Sequence, residues 1–526
     1  MTHRYLGSCL LLLGAFGCAR HNFYQPDARL TPTEPIPADK TVRVTAGRHY
    51  QHGALHNLFL GKHYRDVWAQ PVQLPVLQPR TVVPGGLDFE KLGGGFQTLS
   101  MTLEDGQGRE YALRSIDKTP ARTLPKVLRH TFVMNLVRDA TSAAMPYGAL
   151  VVPPLAEAAG VLHTNPQMFY VSGQEQRLGP SSELFQGKLV LLEEKFDGQE
   201  NLTPAFGKAT GLVDSDDMLH LRYLNPTHRI DQVAFARARL LDIWLGDWDR
   251  HEGQWQWAVY QQDDQTRYKP IPKDRDQVFF RFDDGVIPWL MSRKWAVRKF
   301  RTFKPKYEDI AGMVRNARFI DARGLNEVTK TQFHTLALDL QRRLTDAAIA
   351  EAVHRLPPPI YALEGPGMEE ALRTRRAALP AVADAFYDLL AECVTITGTD
   401  EAERFVVDRL TDTTTRVTVY SLLGKNRPAP YYQRTFRAGE TERITLYGLG
   451  GKDEFNVQGQ VGRGIRIDVY GGPGADAVVD SSHVARGGNR LYYYDTKHGN
   501  ELTEGPNTAD HREKGVKMHA YDREGY

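Results

Sequence analysis

Four strand-like tetrapeptides return at short, nearly even intervals towards the C-terminus. They are 417–420 (VTVY), 444–447 (ITLY), 467–470 (IDVY) and 491–494 (LYYY), spaced by 27, 23 and 24 residues. A unit this small cannot bury its own apolar face, so the segment is restricted to stacked β coils or a meander. Before about residue 396 there is no such period, and helix-period stretches alternate with short strands. The chain therefore divides near 396 into a mixed part and a β-rich part. Its 526 residues are enough for several domains with sizeable cores. With 41% hydrophobic and 25% charged residues it is an ordinary globular composition, which excludes bulk disorder. Lys and Arg number 66 against 64 Asp and Glu, a balance that excludes a general nucleic-acid coat protein. Three cysteines exclude a disulfide framework, and no CxxC pair or Cys/His cluster suggests zinc.

The first 17 residues read as a secretory signal: His3 and Arg4, then an apolar run from Leu10 to Phe16, too short to span a bilayer. Ala15-Phe16-Gly17-Cys18 resembles a bacterial lipobox, with Cys18 as the acylated residue and Phe16 departing from the usual small residue. The resemblance implies an envelope lipoprotein held to a membrane by its lipid, on the periplasmic face of an outer membrane or on the cell surface. Residues 18–45 are polar and Pro-rich and read as a tether.

Alternation over 97–103, a Gly-containing turn at 104–108 and a return over 109–118 predict a β-hairpin. Residues 123–142, 147–160 and 230–245 read as helices, the last from Ile230, Val233, Ala234, Leu240, Leu241 and Trp244. Residues 169–171 and 189–192 read as strands. Residues 326–395 read as mostly helical with a break at Pro357-Pro358-Pro359.

Three segments carry candidate chemistry. Gly93-Gly94-Gly95-Phe96-Gln97-Thr98 opens the hairpin, and a Gly-rich turn exposes N–H groups that cradle phosphate, although such a turn is also simply a turn. The returning strand offers Arg114 and Lys118. Next, Asp247-Trp248-Asp249-Arg250-His251 follows the helix over 230–245 directly, where so many polar groups require either partners or a function. Last, Lys273-Asp274-Arg275-Asp276 sets two carboxylates two residues apart, the ligand type Mg²⁺ prefers.

Gly-rich hairpin, cationic strand, helix, Asp loop, second Asp is the order of parts in a protein kinase, although neither HRD nor DFG is present. Over about 85–395 the chain resembles atypical kinases of the HipA, secretory casein kinase and CotH types. Its segments GGGFQT, LRSIDK, GDWDRHEGQW and PKDRDQVFF are also similar to the soluble region of Gram-negative envelope proteins linked to BamA/TamA-type barrels. The resemblance implies a bilobal α+β kinase-like domain over 46–395, with an N-lobe at about 85–200 and a C-lobe at about 201–395. A β-rich domain would follow at 396–526, with an outer-membrane barrel as partner. It implies Mg²⁺ and ATP as cofactors. Gly93, Gly94 and Gly95 would cover phosphate, Lys118 or Arg114 would bind it, and Glu157 or Asp139 would pair with that cation. Glu194 would lie at the hinge. Asp249, with Arg250 and His251, would be catalytic. Asp276, Asp274 and Gln254 would hold metal, Gln254 standing where HipA-type kinases have Asn.

Two further features stand outside that frame. Seven Lys and Arg crowd 293–306 among aromatics, a match for an acidic ligand, phospholipid headgroups or lipopolysaccharide, or only a solvated face. Gly471-Gly472-Pro473-Gly474-Ala475-Asp476 and, less closely, 448–455 fit the nonapeptide of calcium β-rolls, which makes Asp453 and Asp476 candidate Ca²⁺ ligands or merely turn residues. Three functions are thus expected in competition: an ATP/Mg²⁺ phosphotransferase, a non-catalytic binding module of the envelope, and a calcium-dependent surface adhesin. ATP is scarce outside the cytoplasmic membrane, which weighs against the first.

Overall fold

The computed structural model describes residues 19–20, 22–37, 39–93, 98–423, 429–514 and 520–525. The signal segment, Cys18, Gly94 and Gly95 lie outside them. Among the described residues no helix is long and apolar enough to cross a membrane.

The mixed part begins earlier than the sequence suggests. Strand β1 (Thr41–Val44) pairs antiparallel with β2 (Val72–Pro75), and Arg29 bridges to Val44. Ala28, Val42 and Val44 are buried, and the Tyr170 hydroxyl donates to Asp27 at 3.1 Å. The chain about Ala28 and the strand over 41–44 are therefore packed rather than a free tether, while 31–35 between them is exposed.

Five antiparallel strands follow, in the order β3–β4–β5–β7–β6: β3 (Leu87–Gly93), β4 (Ser100–Asp105), β5 (Glu110–Ser115), β6 (Gln167–Tyr170) and β7 (Leu189–Glu194). Period-two alternation puts Met101, Leu103, Leu113, Val190 and Leu192 into one core. The β4–β5 turn is closed by Asp105, whose Oδ1 accepts the N–H groups of Gln107 (2.8 Å) and Arg109 (3.0 Å). The expected helix over 123–142 is only Phe132–Asp139, since Pro125 holds the preceding chain in short 3₁₀ turns. The helix expected at 147–160 is Val152–Ala159. Pro153 and Pro154 sit in its first turn, where no N–H is needed.

Helix Gln232–Leu245 forms as the periodicity predicts. Asp231 caps its start, accepting from the Ala234 N–H at 3.0 Å, and Gly246 ends it with φ 72°. A second sheet runs β8–β10–β11–β9, from β8 (Gly211–Asp214), β9 (His228–Ile230), β10 (Trp255–Gln262) and β11 (Gln265–Pro272). It delivers residues 273–276 beside the loop that leaves the helix. Helices Lys330–Arg343, Asp346–Val353 and Pro358–Ala391 pack behind. The helical region breaks at the triple proline as expected: one helix ends at Val353, Pro357 is the cap of the next, and Pro358 and Pro359 open its 34 residues.

The β-rich part begins at Cys393. Strands β12 (Cys393–Thr397), β16 (Arg443–Tyr447), β19 (Arg466–Tyr470), β22 (Leu491–Tyr494) and β24 (Thr508–Asp510) lie parallel in one sheet. The other sheet runs β15–β14–β13–β17–β20–β23, from β13 (Glu403–Thr411), β14 (Thr414–Ser421), β15 (Tyr432–Arg437), β17 (Glu454–Gln458), β20 (Ala477–Asp480) and β23 (Glu501–Thr503). A minor parallel pair joins β18 (Gln460–Val461) to β21 (His483–Val484). Ile444, Ile467 and Leu491 stand in register, and Tyr447, Tyr470 and Tyr494 stack at 4.6 and 4.7 Å. The segment 417–420 does not belong to this ladder: it lies in β14, antiparallel in the other sheet. Its expected place is taken by β12, where Thr397 stands under Tyr447.

Candidate active-site cleft

Between the five-stranded sheet and the loops after β11 lies a cleft of about 570 Å³, partly open to solvent. Trp68, Ile116, Ala144, Met145 and Leu191 form its apolar wall. Its mouth is charged. Lys118, just past β5, forms an ion pair with Asp276, and Asp274 and Arg275 line the same side. Asp274 has φ 57°, a left-handed conformation that Asp tolerates better than most residues, and it turns the chain so that both carboxylates reach the cleft.

The charges of this cluster shift one another. Burial works against the Lys118 ammonium, but Asp276 and Asp274 outweigh it and hold its pKa above the ordinary value. Burial, together with the charge of Asp274, pushes Asp276 up, against the pull of Lys118. Asp274 goes the other way: Arg114 and Lys118 overcome its burial and keep it low. Burial and the neighbouring Arg114 depress Lys273 to about 8. Such opposed shifts in adjacent carboxyls mark functional clefts, because one group then stays ionised where its neighbour exchanges a proton.

Asp249 is half-buried beside this cluster, and its charge contributes to the shifts of both Lys118 and Asp276. Its Oδ1 accepts from Asn316 Nδ2 at 2.6 Å. Gln254 Nε2 donates to Asp274 Oδ2 at 3.4 Å. His251 is largely exposed and its Nδ1 accepts from the Gly253 N–H at 3.2 Å.

Arg250 is a different matter. It is fully buried, donates to the carbonyls of Lys273 (2.7 Å) and Gln254 (2.8 Å), and lies over Trp255. It is a positioning residue that binds the Asp249 loop to the 273–276 loop, not a catalytic one. It belongs to a buried network of three arginines and three aspartates. Arg239 donates to Asp321 and to Asp242 (2.7 Å each), and Arg275 donates to Asp247 (2.9 Å) and to Asp242. The arginines override burial and keep Asp242 low, whereas burial pushes Asp247 up to about 6. Asp242 and Asp321 were not among the expected residues. The legible signal was an Arg239/Asp242 pair at i, i+3 in an otherwise apolar helix.

Other expectations are corrected. Arg114 lines the cleft, but its partner is Glu193, which also accepts from Thr164 Oγ1 at 2.7 Å. Glu157 is exposed and does not line the cleft. Asp139 is held by Arg65 through two 2.6 Å bonds on another face. Glu194 points away from the cleft and accepts from the Asn165 N–H at 2.7 Å, because alternation along β7 sends 191 and 193 inward and 194 outward. Gly93 is exposed at the end of β3. The 293–306 cations are partly neutralised: Arg298 and Arg301 by Asp309, Lys304 by Asp283 and Glu308.

In the β-rich part, Glu403, Asp453, Asp476 and Asn500 form a buried ladder. The N–H of Glu403 donates to Asp453 Oδ1 (2.8 Å), that of Asp453 to Asp476 Oδ1 (2.8 Å), and that of Asp476 to Asn500 Oδ1 (2.7 Å). Asp453 Oδ2 and Asp476 Oδ2 are buried without a hydrogen-bond partner among the described residues. Gly448 and Gly471 are required there, since a Cβ on either would overlap these carboxylates.

No protein-family model and no curated protein matches the chain. Among solved structures it is similar to the Helicobacter pylori proinflammatory kinase CtkA, at 11% identity over 57% of this chain and 96% of that one, TM-score 0.28. It is also similar to HipA of Shewanella oneidensis MR-1, from a toxin–antitoxin complex with HipB and operator DNA, at 14% identity over 56% and 67%, TM-score 0.27. The third is the Rio2 kinase of Chaetomium thermophilum, solved with ADP/Mg²⁺-phosphoaspartate, at 13% identity over 56% and 71%, TM-score 0.24.

Proposed function

We propose that the mixed domain is an atypical kinase-like module that binds a Mg²⁺–nucleotide in the cleft and transfers its terminal phosphoryl group. The observation that carries this reading is the meeting of Lys118, Asp274 and Asp276 in an apolar-walled cleft, with Asp249 close enough for its charge to act on Lys118 and Asp276. The apolar wall suits a base and the two carboxylates suit Mg²⁺, which would neutralise phosphate charge when bound. Lys118 would leave Asp276 for a phosphate, and Arg114 and Glu193 would border the nucleotide. Asp249, oriented by Asn316, would accept the proton of the attacking hydroxyl. In this reading the module belongs to a cell-envelope lipoprotein anchored through Cys18, in the company of an outer-membrane barrel. Transfer of label from γ-labelled ATP by the full chain with Mg²⁺ tests the activity. Label no higher than with Asp249→Asn would overturn it.

A non-catalytic module is the second reading, and one observation favours it. Lys118 already neutralises Asp276, and Arg114 is taken by Glu193, so both cations are engaged without any phosphate.

We also propose that the β-rich part is a solenoid-like stack whose acid ladder takes Ca²⁺ through Asp453 and Asp476. Two buried carboxylate oxygens without donors require either protons or a cation. Burial raises Asp476 to about 6, Glu403 to about 7 and Asp453 to about 9. In an unfolded chain these groups titrate near 4. The folded state therefore keeps protons that the unfolded state has lost, and stability falls as pH rises from about 4 through these values. In EDTA the melting temperature of this part is expected to fall between pH 5 and pH 9, and Ca²⁺ is expected to restore it at pH 9. Asp453→Asn, the side chain already present at position 500, is expected to flatten the pH dependence. A pH 9 melting temperature unchanged by Ca²⁺ would contradict the calcium assignment.

A further inference from the structure

Two short helices that do not line the cleft expose apolar side chains. Helix Ala54–Leu60 leaves Leu55 (72% exposed), Leu58 and Phe59 outward. Helix Val286–Met291 leaves Val286, Ile287, Trp289, Leu290 and Met291 outward, followed by Trp295 at 76% exposure. The two helices adjoin. The backbones of Gly61 and Gly285 touch so closely that no Cβ fits at Gly285, and the His63 N–H donates to Asp284 at 2.6 Å. The two adjoining helices and Trp295 thus leave nine large apolar side chains exposed in neighbouring segments. A soluble surface rarely leaves such a group uncovered.

Its rim is basic. From 285 to 307 the chain has seven cations and no carboxylate. Arg293, Lys294, Lys299 and Lys306 have no carboxylate at ion-pair distance among the described residues. Arg293 lies over the Trp289 ring at 4.3 Å. Exposed Trp, aliphatic side chains and flanking Lys/Arg are the composition of a surface that enters the headgroup region of a bilayer, with tryptophan at the interface and cations on anionic lipid. A protein partner would also cover apolar side chains, but it would not by itself call for four cations without a carboxylate partner in the same segment.

We propose that this two-helix face docks on an anionic phospholipid surface, with Leu55, Leu58, Phe59, Ile287, Trp289 and Trp295 inserted and Arg293, Lys294 and Lys299 on the headgroups. Docking would hold the cleft at a fixed height above the membrane, whether or not the cleft is catalytic.

The tryptophans supply the test. Of seven, five (Trp68, Trp244, Trp248, Trp255 and Trp257) are buried, so lipid-borne quenchers reach only Trp289 and Trp295. The full chain is mixed with phosphatidylcholine/phosphatidylglycerol vesicles carrying brominated acyl chains. A blue shift and loss of emission are expected, both abolished in Leu58→Glu/Ile287→Glu with the far-ultraviolet circular dichroism and melting temperature unchanged. Quenching that persists in that variant, or is absent from the parent chain, would overturn the proposal. Equal quenching in phosphatidylcholine alone would overturn the assignment to anionic lipid. A dimer in solution that the double variant abolishes would assign the face to a second copy instead.

Discussion

Replacing Asp242 by asparagine is expected to destabilise the chain by about 3–5 kcal/mol, the cost of leaving a buried charge unpaired. Asp242 touches Arg239, Arg250 and Arg275, and all four side chains are out of solvent. Three arginines and three aspartates balance; removing one carboxylate leaves a net buried cation that water cannot reach. Asn keeps the shape, so the loss is electrostatic rather than a cavity. Asp247→Asn is the matched control. Burial already raises that carboxyl to about 6, so its ionised form gains less from the arginines than that of Asp242 and the effect of removing it is expected to be smaller. Denaturant midpoints of the two variants check this. A change under about 1 kcal/mol for Asp242→Asn would mean that the network is not dry.

The Asp249→Asn variant is expected to lose about 10²–10⁴-fold in phosphoryl transfer, the usual contribution of a positioned base. Nucleotide binding should survive, because Asp249 does not line the cleft. The amide can still bond to Asn316, so the loop is expected to hold its shape. Rates of label transfer, together with nucleotide affinity, separate the two effects. Loss of binding in step with loss of transfer would make Asp249 structural.

The order of parts was legible because each part is local. A helix of period 3.6 ending in Gly246, a hairpin turned by Asp105, and a carboxylate pair after a strand are each written within a dozen residues. What was not legible depended on register or on distant partners. Glu193 and Glu194 are adjacent, and only the pairing of β7 decides which faces the cleft; a slip of one residue exchanges them. Arg250 looks catalytic in sequence because its partner Asp242 and that network's Asp321 lie elsewhere in the chain. The ladder strand β12 escaped notice because it carries Thr397 where its neighbours carry Tyr.

The central claim is that Lys118, Asp274 and Asp276 bind a Mg²⁺–nucleotide. It is tested most directly by the melting temperature of the full chain with ATP, with and without Mg²⁺. A ligand that binds only the folded state at 100 times its Kd stabilises by about 2.7 kcal/mol. A rise with ATP and Mg²⁺ together, lost in Asp276→Ala, is the predicted result. No rise with any nucleotide, and no difference between the parent chain and Asp276→Ala, would contradict it.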